Sequence, residues 1–427
     1  MPPSHWRDRP DHRAWLVEQT ARQLSFGSGF PHPDGGAAWL TGDGSSDLSQ
    51  PAHTWVTARM AHVYSLGSLA GVPACDSLAD AALAGLTGRL RDAEYGGWVA
   101  SAGPGDAVDG TKSAYTHAFV LLAASSATVA GRPGSRALLD EASEVLDSRF
   151  LTESGLYAER WDRAWTELDC YRGVNTNMHS VEASLAAADA TGDPRFAERA
   201  LHIATRVVHE WAAGNDWRVP EHFDSAWRPL PEHHREQPDH AFEPFGATIG
   251  HGLEWSRPVV TLRAALGDTA PDWMLPAAEA LFARAVDDGW AVDGHDGFAY
   301  TTDWDGTPVV RERMHWVVAE AISAAAALHE ATANPSYDDR YRAWWDHAAR
   351  HWVDPVNGSW AHQLTPELAT SDSVWRGRPD LYHSLHAVLL PRLPLVPGAA
   401  RALADPASAT IGVGEGRTGG GPWLLPA

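Results

Sequence analysis

The stretch NMHSVEASLAAADATGD, residues 177–193, opens on polar side chains, runs into small apolar residues at helical spacing, and stops at Gly-Asp. A helix that carries His179 and Glu182 at its start and Ala on nearly every later face is built to be buried along most of its length. Five further stretches share the plan. They are HTWVTARMAHVYSLGSLAG from His53, YTHAFVLLAASSATVAG from Tyr115, GHGLEWSRPVVTLRAALGD from Gly250, MHWVVAEAISAAAALHEATAN from Met314 and DLYHSLHAVLLPRLP from Asp380. Arg59, Tyr115, His179, His251, His315 and His383 mark equivalent places in the six, at separations of 56, 64, 72, 64 and 68 positions. Each interval has room for one helix pair and its loops.

The intervals hold amphipathic runs with charged faces, such as PRFAERALHIATRVVHEWAA from Pro194 and YDDRYRAWWDHAARHWV from Tyr337. A helix starting near Arg13 brings the count to twelve. Six apolar helices can each be buried only against their neighbours, with the amphipathic six outside. This predicts an all-α fold, an (α/α)6 barrel or α-toroid, in a single catalytic domain over residues 1–397. An open helical solenoid is the alternative, but solenoids do not usually place His, Glu, Arg and Trp at the same end of every inner helix. The Gly and aromatic turns DGGAAW, YGGW, SGLY, DGFAY and NGSW predict short hairpins or loops gathered at one end. Residues 398–427 form a Gly/Ala/Pro-rich C-terminal tail, expected to be disordered or strapped over the surface and given no role.

Composition removes several chemistries. The formal charge is −22, which repels a nucleic-acid backbone or an anionic membrane and favours a neutral or small polar ligand. Cys75 and Cys170 are too few for a disulfide framework or a thiolate metal site and suit the cytoplasm. The N-terminus lacks an apolar signal core, and the longest Ala-rich run, residues 319–328, is too short to span a bilayer. Lys112 is the single lysine, so Schiff-base chemistry would rest on that residue alone. There is no phosphate loop and no dinucleotide fingerprint, so no nucleotide cofactor is expected. Despite 22 His, no His-Glu-x-x-His helix occurs, and the EHH at residues 232–234 lies in a Pro-rich polar loop, so no metal is expected either.

The polar helix ends supply the candidates: Arg59, Tyr115, Asn175, His179, Glu182, His251, Glu254, His315, Trp316, Glu320, His383 and His386. The pairs His179/Glu182 and His251/Glu254 repeat His-x-x-Glu, a spacing at which a carboxylate can fix an imidazole tautomer and leave the other nitrogen for proton transfer. Taken singly, either pair equally describes a capping His beside a helix-stabilising Glu. Of His383 and His386, one is expected to face the cavity and the other to sit between helices, with His383 the functional one. Arg59, among Thr57, Ala58, Met60 and Ala61, needs an anionic or hydroxyl-rich partner, or a buried ion pair with one of the Glu residues.

The motifs GVNTNMHSVEA, GATIGHGLEWSR and WRGRPDLYHSLHA, in this order on this repeat, closely resemble the N-acylglucosamine 2-epimerase superfamily. Within it they are most similar to the aldose–ketose isomerase branch of mannose and sulfoquinovose isomerases. The resemblance covers roughly residues 10–395. It implies an (α/α)6 barrel and histidine acid/base chemistry on an opened sugar through a cis-enediol, without a metal or nucleotide. Carried onto this chain, it implies His383 and His251 as the acid/base pair, Glu254 as the partner of His251, His179 as a helper in ring opening or binding, and Arg59 on the oxygens near C1 and C2. Trp55, Tyr115, Asn175, Glu182, Trp316, Glu320 and Trp375 would line the substrate. Because no Lys or Arg occurs between Glu236 and Arg257, a neutral hexose, mannose to fructose and also lyxose to xylulose, leads over a sulfosugar, although Arg59, Arg376 and Arg378 could converge on an anion. A sugar 2-epimerase, an (α/α)6 glycoside hydrolase and a non-catalytic sugar-binding toroid remain as alternatives. The sequence carries no signal for oligomeric state.

Overall fold

The computed structural model describes residues 5–103 and 107–405. In chain order the helices are α1 (Pro10–Phe26), α2 (Thr54–Leu69), α3 (Cys75–Thr87), α4 (Ala114–Val129), α5 (Ser135–Val145), α6 (Val174–Thr191), α7 (Pro194–Ala204), α8 (Ile249–Leu266), α9 (Met274–Gly289), α10 (His315–Thr332), α11 (Pro335–His351), α12 (Tyr382–Leu389) and α13 (Ala399–Ala404). The even-numbered helices are the six Ala-rich repeats. They pack in a closed ring, α2 on α4, α4 on α6, α6 on α8, α8 on α10, α10 on α12 and α12 back on α2. The odd-numbered helices α1 to α11 form the outer layer, as the alternation of apolar and amphipathic runs requires.

The inner helices are buried on nearly every face, and their small residues let the backbones approach. Serines in this dry ring are satisfied within their own helix: Ser65, Ser125, Ser180 and Ser323 each donate to the carbonyl four residues earlier. The outer helices contribute large aromatics instead. Trp344 and Trp345 of α11 and Trp98, Trp352 and Trp360 near the hairpins are essentially fully buried. Removing about 200 Å² of indole surface from water stabilises the fold by roughly 5 kcal/mol each on extended-chain accounting.

After most outer helices the Gly and aromatic turns close tight hairpins, bridged at Arg91/Trp98, Leu151/Tyr157, Trp290/Phe298 and Val353/Trp360. The strand leading into each inner helix then pairs with the hairpin of the next unit. Ala52–His53 pairs with Ser101–Ala102, Lys112–Ser113 with Arg160–Trp161, and Arg172–Gly173 with His222–Phe223. Ala247–Thr248 pairs with Thr301–Thr302, and Arg313–Met314 with Gln363–Leu364. The last unit meets the first where Arg378 N–H donates to Leu40 C=O at 2.8 Å. The N-terminal ends of all six inner helices are thereby tied into one rim. Lys112, the single lysine, is spent on this architecture, its ammonium 3.1 Å from Asp92 and fully buried.

Helix α13, inside the segment assigned to the tail, packs on α2 and α4, and Gly398 N–H donates to Asp189. The remainder of the expected tail, residues 406–427, lies outside the described residues. Among the described residues no helix is long and apolar enough to cross a membrane.

Candidate active site

At the N-terminal rim a cavity of about 710 Å³ descends between the inner helices. Its walls are aromatic, formed by Trp55, Tyr115, Phe242, Tyr300, Trp316 and Trp375, and its floor is polar, with Arg59, Asn175, His179, His251, Glu254 and His383. It opens into a wider vestibule that shares Trp55, Tyr115, Asn175, Phe242 and Trp375.

His383 sits in the first turn of α12. Its Nδ1 lies 2.9 Å from Glu320 Oε1, and since a carboxylate only accepts, the imidazole carries its proton on Nδ1 and leaves Nε2 bare. Glu320, fully buried on α10, also accepts from Arg257 Nε at 3.3 Å. Arg257 in turn donates to Glu182 at 3.2 Å, and the Tyr382 hydroxyl donates to the same carboxylate. Burial, helped by the nearby Arg59 charge, holds the His383 pKa well below the usual imidazole value, so it stands ready as a neutral base.

His251, in the first turn of α8, lines the same cavity, with Trp316 between the two imidazoles at ring distances of 5.4 and 5.7 Å. Trp316 can lie there because position 250 is glycine: a Cβ would come within 2.1 Å of its ring. The carboxylate beside His251 is not Glu254. His251 Nδ1 lies 2.9 Å from Glu221 Oε1, off the line of a straight hydrogen bond. Glu221 precedes the hairpin strand His222–Phe223, which pairs with the strand Arg172–Gly173 leading into α6. Glu254 lies instead 3.8 Å from His179 Nδ1, and Glu182 lies 3.9 Å from the same atom. Burial, reinforced by the charges of Glu320 and Glu182, raises the Glu254 carboxyl well above its ordinary range, which favours its proton-donating form. Burial lowers His179 to about 4.

Arg59 is paired, but with Asp380 rather than with a glutamate: Nη1 donates to Asp380 Oδ2 at 3.1 Å and Nη2 to the Tyr115 hydroxyl at 2.9 Å. The rings of Phe119, Tyr382 and Trp55 surround its guanidinium at 4.4, 4.8 and 4.9 Å. Of the expected lining residues, Trp55, Tyr115, Asn175, Trp316 and Trp375 face the cavity. Glu182 and Glu320 do not: Glu320 stands behind His383, and Glu182 points to the opposite end of the barrel. His386 also lies at that opposite end, bonded Nε2 to Nε2 with His62 at 2.9 Å. Arg378, one possible anion receptor, is engaged by Asp354 at 3.0 Å.

Several cavity residues were not anticipated. Asp380 stands in the motif just before α12 and holds Arg59. His362 stacks on His315 with ring centroids 3.8 Å apart, and its buried Nε2 has no hydrogen-bond partner among the described residues. Tyr300 and Phe242 come from loops without helical periodicity. As to metals, Glu254, Glu320 and His383 bring donor atoms within 4.8 Å of one another, but Arg257 already supplies positive charge to Glu320, and His383 Nδ1 is committed to it.

Residues 35–387 match the family model described as N-acylglucosamine 2-epimerase. A D-mannose isomerase of Thermobifida fusca is 53% identical over 93% of this chain and 98% of its own length. Another, of Pseudomonas cannabina pv. alisalensis, is 45% identical over 94% and 97%. A crystal structure of D-mannose isomerase superposes with a TM-score of 0.83 at 27% identity, over 88% of this chain and 97% of that one.

Proposed function

The chain belongs to the N-acylglucosamine 2-epimerase family, and from that premise we propose that it is an aldose–ketose isomerase interconverting D-mannose and D-fructose, with residues 1–397 as its catalytic unit. The observation that carries the mechanism is the His383–Glu320 pair: a neutral imidazole with Nδ1 tied to a buried carboxylate and Nε2 bare, in a cavity that also holds His251. Such a base suits removal of the proton at C2 of the open-chain aldose. The electron pair moves into a C1–C2 enediol, and the same imidazolium returns the proton to C1. Meanwhile the aldehyde oxygen O1 must gain a proton and the O2 hydroxyl must lose one to become the ketose carbonyl, and His251 and Glu254 supply the groups that exchange protons on those oxygens.

Arg59 stabilises charge developing on the enediol oxygens. A preorganised donor of this kind is worth about 3 kcal/mol in the transition state. Its position is held by Asp380 and Tyr115, so the cation is in place before substrate arrives. The aromatic walls suit the apolar faces of a pyranose or an extended hexose. Neutral substrate is supported by charge at the cavity: Arg59 is already matched by Asp380 and Arg378 by Asp354, so neither of these two guanidiniums is free to serve a sulfonate. A cytoplasmic location accords with the free cysteines, Cys75 buried and Cys170 exposed.

Incubation with D-mannose in deuterated water, with the products separated by chromatography, tests the reaction. Fructose carrying solvent deuterium at C1, with part of the substrate proton retained, is the expected result. Glucose as the sole product would replace isomerisation by 2-epimerisation. Release of sugar only from glycosides would overturn both.

A further inference from the structure

The loop between the hairpin strand His222–Phe223 and the strand leading into α8 carries Phe242 to the mouth of the cavity, and a second cluster of histidines lies behind it. His233 Nε2 is 3.0 Å from Glu243 Oε2, and His234 Nδ1 is 4.0 Å from the same oxygen. One donor atom from each of the three residues falls within 4.8 Å of the others. Ligand atoms around a tetrahedral zinc, about 2.1 Å from the ion, sit about 3.4 Å apart, so the spacing already approximates three corners of such a site.

The surroundings are built like the outer shell of a metal centre. The other Glu243 oxygen accepts from Arg160 Nη1 at 2.7 Å, which fixes the carboxylate plane and leaves Oε2 turned to the histidines. Tyr171 stacks on the His233 ring with centroids 4.9 Å apart. Asp169 pairs with Arg160 at 3.0 Å, so the carboxylates outnumber the guanidinium and the cluster with neutral imidazoles keeps a net negative charge, on a chain whose formal charge is −22.

We propose that His233, His234 and Glu243 form a binding site for a divalent transition-metal ion such as zinc, with a water in the fourth position. To ligate, His233 shifts its proton from Nε2 to Nδ1 and His234 from Nδ1 to Nε2, so that both stay neutral imidazoles and give up their hydrogen bonds to Glu243, the second of them 2.7 Å long. Its effect reaches the cavity through one peptide bond. Phe242, next to Glu243, sets its ring edge-on to Trp375 at 5.2 Å and to Trp55 at 6.0 Å. Clamping Glu243 to the turn at residues 233–234 fixes that aromatic gate across the entrance. The binding claim stands whatever reaction the cavity performs.

Calorimetric titration of the full chain with zinc chloride at neutral pH tests it. The expected result is one ion per chain with a Kd of micromolar or tighter, weakened at least tenfold in His233→Ala and again in His234→Ala. Cys170→Ser and His383→Ala should bind as the parent does, because neither the exposed thiol nor the Glu254/Glu320/His383 group is the site. Hydrogen exchange should show residues 230–246 protected by the ion in the parent but not in the two loop-histidine variants. Parent-like binding in either histidine-loop variant, loss of binding in Cys170→Ser or His383→Ala, or saturation only at millimolar zinc would overturn the proposal. Circular dichroism of each variant identifies any that fail to fold, and each of the two loop histidines provides an independent test.

Discussion

The two ends of the barrel use the same residue types for opposite purposes. At the N-terminal rim, His383 has one nitrogen bound to Glu320 and the other open to an aromatic-walled cavity. One helical turn further along α12, His386 is bonded to His62, whose second nitrogen is taken by Ser126 at 2.7 Å. The cavity beyond it, about 1230 Å³, is lined largely by alanine, leucine and proline. Burial depresses both imidazoles, so burial alone does not distinguish a catalytic histidine from a structural one. What distinguishes them is where the free nitrogen lies: His383 Nε2 is in the polar, aromatic-walled cavity, whereas His386 Nδ1, without a hydrogen-bond partner among the described residues, lies 3.9 Å from Glu182 beside a largely apolar lining.

If that contrast is right, His383→Ala removes the base and lowers kcat by about 10³-fold or more, while sugar still binds, as measured by calorimetry with the variant. Unchanged turnover would break the comparison at its centre. Glu320→Gln keeps the shape but loses the charge that aligns the imidazole. It should lower kcat by about 10- to 100-fold with KM nearly unchanged, which separates positioning from substrate binding. The pH profile sharpens the point. Because burial and Arg59 disfavour the His383 imidazolium, protonation and loss of activity should begin only below the ordinary imidazole value of about 6.5. An acid limb of kcat/KM at or above that value would contradict a buried base. The smallest effect belongs to the other end: replacing both His62 and His386 by Leu exchanges a pair bonded to each other for apolar groups. Turnover should be unchanged, and the Tm, read by calorimetry, should move by only a few degrees.

The ring of helices was legible because burial leaves a periodic imprint: Ala and Leu on every face of six runs, charge on one face of the runs between. His179, His251 and His383 were legible for a related reason, being polar residues at the start of helices that otherwise have none. Their partners were not. The only pairing a linear pattern displays is the one along a helix, so His251 was matched with Glu254, three residues on. The folded chain brings Glu221 from the preceding hairpin instead and turns Glu254 toward His179. Glu182 and Glu320 share the helix faces expected of lining residues, yet Arg257 draws both into a buried ion network. Phe242 and His362, on a loop and a hairpin, have no periodic signature that could have announced them. Asp380 did have one available, an acidic residue immediately ahead of a helix in the motif already singled out.

The join between Arg378 and Leu40 has a consequence for biosynthesis. Helix α12 is only eight residues long, and it is held by groups 361 positions earlier in the chain, including the Gln23 side chain, which bonds to Ser384. A polypeptide growing on the ribosome can stack five of its six repeats and still lack the imidazole of His383. Competence arrives only when the final repeat emerges and finds the first, so partly made chains should be catalytically silent however well their early repeats have folded.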